Sequence, residues 1–456
     1  MADDPASIQL ADQIAVQIRA ERLKPGAVVA SEEDLLNHHD TGRSLLRQAV
    51  RILKERGVAY MRRGHGGGLV VAQPNPEFAS RALAIAIESR MQGPSGLDPL
   101  LKATDTHLFL SGAPKLDPAA CDHIRRLAAR LDSLPHAEFQ RIGGHREMTR
   151  ALRGLFKDPV VALAYQTTAE YGIDLLPNSV LAAEEGSRSE LWNLTLQMVE
   201  ALIGADIAGL FDLRRRQQDI IRAGWRVWGS MDAENRPLPV IDLAEGSWAQ
   251  TAENNAERLA REILRDVRGM GWKTGQRIGG AAEVMERYGA TVGTVRQAVR
   301  LLEEHSAVRM ERGRNGGLFI ASPDASTAVD RALAYLVQAE VEPADVKGFL
   351  TQVMLDVLSL LAAQNQPQTA LRAVFGPVRA RPGAAADQAL CRNLAQLAGN
   401  AALEIFVDIL TSLLPTHGPG GIVEDLSPIL KALAMSDGAK ARRAFLHYVR
   451  CGGLLG

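Results

Sequence analysis

A five-residue sequence that occurs twice constrains this chain more than any other feature. Residues 47–51 read RQAVR, and residues 296–300 read RQAVR again, 249 positions later. The match continues at the same offset, because the GGL at 67–69 corresponds to the GGL at 316–318. A match of this extent indicates a duplicated module that is longer than the roughly 20–50-residue units of solenoid proteins. The chain is therefore predicted to contain one fold twice.

The first copy has the pattern of three helices followed by a β-hairpin. Apolar residues recur at helical spacing from Ala6 to about Arg22, and the sequence LKPG then breaks the helix. The sequence SEEDLL begins a second helix, with Ser31 as its N-cap and acidic residues in its first turn. A third helix runs from about Arg43 to Glu55. The strands VAYMRR and LVVA then flank a glycine-rich tip, which completes the order of a winged helix-turn-helix.

The second copy follows the same plan. Its helices are predicted at 257–267, 281–289 and 294–304, and its hairpin is predicted at 308–321. Each copy precedes a long region, rich in alanine and leucine, that has helical periodicity and few strand signals. The predicted fold is mainly α: two winged helix-turn-helix domains with small β-hairpin wings alternate with two all-helical bundle domains. The predicted domains are the first head (1–75), the first helical effector-binding or dimerisation body (76–228), a linker (229–253), the second head (254–323) and the second body (324–456).

Composition excludes several classes of protein. A chain of 456 residues is long for a single core. The net charge of −1 excludes a uniformly basic protein, so that any binding of nucleic acid must use local patches. The three cysteines, Cys121, Cys391 and Cys451, lack metal-type spacing and indicate a reducing compartment. The first residues, MADDPASIQL, are acidic where a signal peptide is basic, and no apolar stretch approaches the length of a membrane span. A cytoplasmic protein without a membrane partner is expected.

Arginines at four-residue spacing mark the third helix of the first head as the candidate DNA-reading helix. Arg43, Arg47 and Arg51 share one face, away from the apolar stripe. A helix fits the major groove, where arginine pairs with guanine or binds phosphate. On an isolated helix such a face is more often only solvated, and a glycine-rich hairpin alone is more often a simple turn. Both features together, in both copies, favour DNA binding. The candidate DNA-contacting residues are Arg43, Ser44, Arg47, Arg51, Arg62, Arg63, Gly64, His65 and Gly66 in the first head, and Thr291, Thr294, Arg296, Arg300, Arg312, Gly313, Arg314, Asn315 and Gly316 in the second.

The two heads differ in charge. The second head has Val292 in place of an arginine, and Glu303 and Glu311 in place of a lysine and an arginine. Gly280 also stands where the first head has its serine N-cap, whereas the wing tip, RGRN, stays basic. We expect the second head to bind DNA more weakly or to contact a different half-site.

At these residues the chain resembles the GntR family of bacterial transcriptional regulators, in the branch with a FadR-like, all-helical effector (FCD) domain. The resemblance rests on IRAERLKPG, SEEDLL, RSLLRQAVRILKERGV and RRGHGGGLVVA, and on the matching stretches of the second head. It extends to the bodies through LAQLAGNAALEIF at 394–406 and the more diverged LRGLFKDPVVALA at 152–164. The resemblance implies double-stranded operator DNA and a small-molecule effector as partners. The family usually has one head and one body per chain and acts as a homodimer, whereas this chain carries both in tandem.

The resemblance also implies where a metal would lie. In many domains of this helical class, histidines and an aspartate hold a metal that helps to bind a carboxylate effector. The residues at the implied histidine positions are Thr149 and Cys391 for one histidine, and Gln217 and Tyr448 for a second. The nearby His145 and His447 are out of register, so neither a metal nor another cofactor is expected. An apolar cavity for an acyl or other organic ligand and a vestigial dimerisation body both remain open.

Three classes of function follow from these patterns. The leading prediction is a ligand-responsive transcriptional regulator, a repressor, that acts as a single-chain pseudo-dimer; a homodimer of chains is the alternative. The second class is a fused enzyme. It has no support, because the bodies lack a nucleophile elbow, a phosphate loop, a metal triad or a cofactor-lysine context. The third class is an interaction protein that sequesters other regulators without binding DNA, which the acidic second head motivates.

Overall fold

The structure is a computed structural model, and its described residues form a mainly α-helical chain with two small sheets. The described residues are 5–21, 23–62, 64, 67–91, 94–113, 116–135, 138–139, 144–155, 157–169, 185–230, 255–311, 313, 316–380, 384–415 and 426–451. They form two compact units, the first from residues 5–89 and 255–340 and the second from residues 90–230 and 341–451. The predicted linker at 229–253 lies outside the described residues, except for its first two positions, which end a helix.

The elements alternate between helix-rich segments and short hairpins. From the N-terminus they are α1 (Pro5–Ala20), β1 (Val28–Ala30), α2 (Glu32–His38), α3 (Arg43–Glu55), β2 (Ala59–Arg62), β3 (Gly68–Val71), α4 (Glu77–Glu88), a 3₁₀ turn (Pro94–Leu97), α5 (Asp98–His107), a π-helical turn (Leu108–Gly112), α6 (Pro118–Asp132), α7 (Gly144–Gly154), α8 (Pro159–Ala169), α9 (Glu185–Ile203) and α10 (Ile207–Ser230). They continue with α11 (Asn255–Gly269), β4 (Arg277–Gly279), α12 (Ala281–Tyr288), α13 (Val292–Glu304), β5 (Val308–Glu311), β6 (Gly317–Ile320), α14 (Ala325–Gln338), α15 (Pro343–Ala363), α16 (Gln368–Ala380), α17 (Ala384–Ala398), α18 (Ala401–Ser412), α19 (Ser427–Ala434) and α20 (Gly438–Arg450).

The two heads share one topology. In each, three antiparallel strands form a sheet with the last strand of the hairpin in the middle, in the orders β1-β3-β2 and β4-β6-β5. The bounds of α13, β5 and β6 follow those of α3, β2 and β3 at the offset of the sequence repeat. Both hairpins are predicted from the sequence, whereas β1 and β4 are not. Strands of three residues are too short to show an alternating pattern.

The start of the second helix differs between the two heads. Ser31 is the N-cap of α2: its hydroxyl accepts a hydrogen bond from the amide of Asp34 at 3.1 Å, and the Asp34 carboxylate accepts one from the amide of Ser31 at 3.3 Å. In the second head Gly280 has no side chain to offer. The Glu283 carboxylate accepts a hydrogen bond from the Gly280 amide at 2.6 Å, which lowers the pKa of Glu283, with Arg277 adding to the effect. The second copy therefore keeps only the acidic half of the cap.

The predicted stripe of the third helix forms the core of the first head. Leu46, Ala49 and Leu53 are fully buried, and Val50 is half-buried. They pack against α1 and the sheet in one apolar cluster. Burial of each leucine contributes about 1.5–3 kcal/mol, so this helix is held by its apolar face and leaves the opposite face to solvent.

Helices α4 and α14 tie the two heads into the first unit by packing against each other. Ile85 of α4 lies in the buried core of the second head. In the other direction, Gln338 of α14 donates from Nε2 to the carbonyl of Ala72, just after the first hairpin, at 2.9 Å. Each helix therefore contacts the head of the other copy. Both helices fall within the segments that the sequence analysis assigned to the bodies.

His305 is buried at this junction. Its ring lies 5.2 Å from the ring of Phe78, and its Nδ1 lies 3.1 Å from Nη1 of Arg331. The guanidinium of Arg331 also lies over the Phe78 ring, 4.6 Å from its centroid. Burial, followed by the charges of Arg331 and Arg81, lowers the pKa of His305 well below its ordinary value. The imidazole is therefore neutral in the folded chain and accepts a hydrogen bond from Arg331.

The second unit contains the remaining helices of both predicted bodies, and α5 of the first body packs against α15 of the second. Nζ of Lys102 lies 2.7 Å from the carboxylate of Asp356. Asn400 donates from Nδ2 to the carbonyl of Gly96 at 2.8 Å. The two bodies thus contact each other within the second unit.

Among the described helices, α15 is the one that is long and apolar enough, by length and composition, to cross a membrane. Its Phe349, Leu350, Val353 and Val357 are fully buried within the second unit. A helix that is apolar on nearly all sides and covered by other helices is a core helix.

We expect acid to destabilise the first unit through His305. Above about pH 6.5 the imidazole is neutral in both the folded and the unfolded chain and adds no pH dependence. Below that pH the unfolded chain binds a proton that the folded chain excludes, so the free energy of unfolding falls by up to about 1.4 kcal/mol per pH unit. Urea denaturation at about pH 7 and about pH 5.5 will show a smaller loss for His305→Gln than for the wild type. His123→Gln, at an exposed position, is the control. If His305→Gln loses as much stability in acid as the wild type does, this account of His305 is wrong.

Candidate nucleic-acid interface

Helix α3 presents three arginines on the side away from its core contacts. Arg43, Arg47 and Arg51 are exposed, whereas Leu46 and Leu53 on the other side are buried. Within the part of the chain that the structure describes, Arg43 and Arg47 form no hydrogen bond or ion pair. Their guanidinium groups are therefore available to a ligand of negative charge.

Helix α13 carries a weaker version of this face. Arg296 is exposed, Arg300 is half-buried, and Val292 exposes 47% of its surface where the first head has an arginine. Thr291 is the N-cap, and its Oγ1 accepts a hydrogen bond from the amide of Thr294 at 3.3 Å. The two hydroxyl groups lie 2.9 Å apart. These two candidate residues thus hold the start of the helix.

The acidic residues of the second head have partners within that head. The Glu303 carboxylate accepts a hydrogen bond from the amide of Met310 at 2.8 Å, which joins α13 to β5. Glu311 forms an ion pair with Arg309 at 2.7 Å. Glu311 neutralises the charge of Arg309, and Glu303 adds a negative charge to α13. The second head therefore offers less positive charge to phosphate groups.

The tips of the two hairpins share one backbone turn. The Gly67 amide donates to the carbonyl of Gly64 at 2.8 Å, and the Gly316 amide donates to that of Gly313 at 3.0 Å. Arg62 is exposed immediately before the first tip. The candidates outside the described residues are Arg63, His65, Gly66, Arg312, Arg314 and Asn315.

A glycine at the base of each hairpin lets the sheet close. Gly68 has a φ of 145°, and a Cβ there would lie 2.5 Å from the carbonyl oxygen of Ala30. Gly317 has a φ of 149°, and a Cβ there would lie 2.6 Å from the carbonyl oxygen of Gly279. A side chain is excluded both by this backbone conformation and by the neighbouring strand. The repeated GGL therefore has a steric cause.

In each head the DNA-reading candidate helix contacts the first strand of the hairpin, α3 with β2 and α13 with β5. The arginine face of α3 and Arg62 therefore belong to one module. Such a module can place a helix in the major groove while a glycine-rich hairpin tip approaches the phosphate backbone.

In the first body, one position implied for a metal ligand is part of a buried polar network. Nε2 of Gln217 donates to Oγ1 of Thr195 at 3.1 Å. Arg214 donates to Gln217 and also to the carboxylate of Asp105, the latter from Nε at 2.6 Å. The side chain of Thr149 lies outside the described residues. This network could not be predicted from the sequence, because its members lie on separate helices far apart in the chain.

In the second body, the two positions implied for metal ligands are Tyr448, which forms a buried hydrogen bond, and Cys391, which is buried. The hydroxyl of Tyr448 donates to the buried carboxylate of Asp387. Cys391 is fully buried, and this burial, with Asp387 adding to it, raises the pKa of the thiol far above its ordinary value. A thiol is a poor metal ligand until it loses its proton. His447 is exposed.

A groove of about 730 Å³ lies on the second body between α16 and α19. It is lined by Gln368, Arg372, Phe375, Gly376, Ser427, Leu430, Lys431, Ala434 and Met435. Phe375 is buried in its floor, and Arg372 and Lys431 are exposed. Among the described residues, neither cation has an ion-pair partner. The groove therefore combines an apolar floor with two available positive charges.

Comparisons with known proteins find little. A scan of protein families gives no match to this chain, and a search of curated proteins also gives none. Among solved structures, the chain is similar to one named Streptococcus agalactiae GntR, with 16% sequence identity and a TM-score of 0.31. The match covers 48% of this chain and 99% of the other.

We expect Gly68→Ala to destabilise the first head by about 2–3 kcal/mol, because the new Cβ meets the Ala30 carbonyl and the backbone conformation is strained. Gly293→Ala, near the start of α13, is the matched control. A Cβ there meets nothing closer than 3.9 Å, so this change should be neutral or stabilise the chain by up to about 1 kcal/mol. Urea denaturation of the full chain measures both. Equal midpoints for the two variants would contradict the proposed steric role of Gly68.

Proposed function

We propose that this chain is a sequence-specific DNA-binding transcriptional regulator of the GntR type, with two winged helix-turn-helix heads. The observation that carries the proposal is the arginine face of α3, whose Arg43 and Arg47 form no ion pair with the described residues, beside a glycine-based hairpin. Guanidinium groups on a helix bind guanine edges in the major groove, or phosphate. The glycine-rich hairpin tip binds along the backbone or minor groove.

We further propose that the chain arose by tandem duplication of a head and a FadR-like body, and that it acts as a single-chain pseudo-dimer. The packing of α4 against α14 and of α5 against α15 supports this, because the contacts of a homodimer are then made within one chain. Homodimeric relatives reach two half-sites of a palindrome with two identical helices. A chain with two unequal heads is suited to an imperfect palindrome, and its covalent connection raises the effective concentration of one head near the other.

The effector of this regulator is proposed to be a small organic anion that binds in the groove between α16 and α19. The apolar floor at Phe375 suits a hydrocarbon portion, and Arg372 and Lys431 suit a carboxylate or phosphate group. Binding there would change the affinity of the heads for DNA, and the chain would act as a repressor.

A second candidate function is an interaction protein that sequesters other regulators. The internally paired acids of the second head, Glu303 and Glu311, favour it. The two functions differ in whether purified chain selects any DNA sequence, so the experiment that defines the operator also decides between them.

We expect Arg47→Ala to weaken operator binding by about 1–3 kcal/mol and to relax specificity in one half-site. Selection of genomic fragments by the purified chain supplies the operator, and fluorescence anisotropy measures the affinity. Arg296→Ala should cost less, because its head is less basic. Arg443→Ala, which removes an exposed arginine of the second body, should leave the affinity unchanged. Wild-type affinity in Arg47→Ala would remove this residue from the interface, and selection of no DNA at all would favour the interaction protein.

We expect one chain to occupy one operator. Each head reaches one half-site, so light scattering of the complex should give the mass of one chain plus one duplex. Two chains on a symmetric operator would mean that only one type of head contacts DNA. That result would reject the pseudo-dimer while leaving DNA binding intact.

A further inference from the structure

We propose a binding site for a divalent transition metal, of which Zn²⁺ is the type, formed by His107, Asp158 and Asp345 in the second unit. One ligand atom from each residue, an imidazole nitrogen and two carboxylate oxygens, lies within 4.8 Å of the others. Imidazole and carboxylate together are ligands that zinc accepts. The site is separate from the positions at which the resemblance to regulators implied a metal, and it does not depend on DNA binding.

Two of the three ligands are held in place before any ion arrives. His107 ends α5 and is 5% exposed, and its Nε2 lies 3.1 Å from Oδ2 of Asp158. The other oxygen of Asp158, Oδ1, accepts hydrogen bonds from the amides of Val160 and Val161 at 2.8 and 3.1 Å, at the start of α8. These bonds orient the carboxylate so that Oδ2 faces the imidazole. Hydrogen bonds of this kind orient the ligands of established metal sites.

The third ligand comes from the other body. Asp345 is half-buried in the first turn of α15. Its carboxylate has no hydrogen bond or ion pair within the described part of the chain. One turn later, Gly348 lets α15 approach α5 closely, because a Cβ there would lie 3.0 Å from Cε1 of His107. The carboxylate of Asp345 is thereby brought to the pair of His107 and Asp158.

The charges at this site favour a cation. Two carboxylates this close repel each other. A divalent ion neutralises both. The ligand atoms around a tetrahedral zinc ion are about 3.3 Å apart, and rotation of the half-buried Asp345 side chain can close the remaining distance. The alternative is an ion pair of His107 with Asp158 alone, which leaves Asp345 without a role.

Such an ion would join the two bodies, since His107 and Asp158 belong to residues 90–230 and Asp345 belongs to residues 341–451. A ligand that binds only the folded chain stabilises it by mass action. Zinc should therefore raise the melting temperature of the wild-type chain, and loss of any one ligand should remove the increase.

The test uses full-length chain purified without an affinity tag and stripped of metal with a chelator. Titration calorimetry with Zn²⁺ should give about one site per chain, and Co²⁺ should give the visible absorption of a low-symmetry nitrogen and oxygen site. Asp345→Asn, which preserves shape at a half-exposed position, should weaken the zinc affinity about tenfold or more. It should also abolish the rise in melting temperature. His107→Ala should do the same, and Asp345→Asn remains decisive if that variant fails to fold.

A surface pair provides the matched control. Sγ of Cys451 lies 3.8 Å from Nε2 of His447, so these two residues could capture zinc by themselves. His447→Ala should leave the zinc stoichiometry and the rise in melting temperature unchanged. The proposal is overturned if the wild type binds no zinc, if His447→Ala removes the binding, or if Asp345→Asn binds as tightly as the wild type.

Discussion

The packing of α4 against α14 is the contact on which the arrangement of the two heads depends. Leu83 and Ile87 of α4 and Leu336 of α14 are fully buried, and each contributes about 1.5–3 kcal/mol. Each helix also contacts the head of the other copy. The helix that follows each head therefore fixes the position of the other head. A pair of heads held in this way presents α3 and α13 at one spacing, and under the proposed function that spacing would set the spacing of the half-sites.

The two copies have used equivalent positions for different purposes. In the first head, basic side chains on α3 and at the start of the hairpin tip point to solvent. In the second, Glu303 holds the β5 backbone, and Glu311 pairs with Arg309. The start of α13 has a threonine cap, Thr291, where α3 begins at Gly42 without one. The second head thus has acidic residues in internal contacts at positions where the first head has basic residues.

The second unit buries polar groups in pairs. Asp105 receives hydrogen bonds from Arg214 and Tyr165, and Asp387 receives one from Tyr448. Removing one partner of such a pair leaves an uncompensated polar group in a low-dielectric interior and costs several kcal/mol. These contacts stabilise the interiors of the two bodies.

Local structure could be predicted from the sequence because its causes are local. The apolar period of α3, the cap at Ser31 and the glycine of the first GGL each act over a few residues. The repeat at one offset by itself determined that the fold occurs twice. It also determined that the third helix of the second head has two arginines where that of the first head has three. The tertiary structure alone decided that α4 and α14 pair across the copies, that three-residue strands complete each sheet, and that His107, Asp158 and Asp345 meet. Those outcomes depend on how apolar faces pack between segments far apart in the chain. Hydrophobic packing is non-directional. A local sequence pattern therefore shows that a helix has an apolar face but does not show which other helix will cover it.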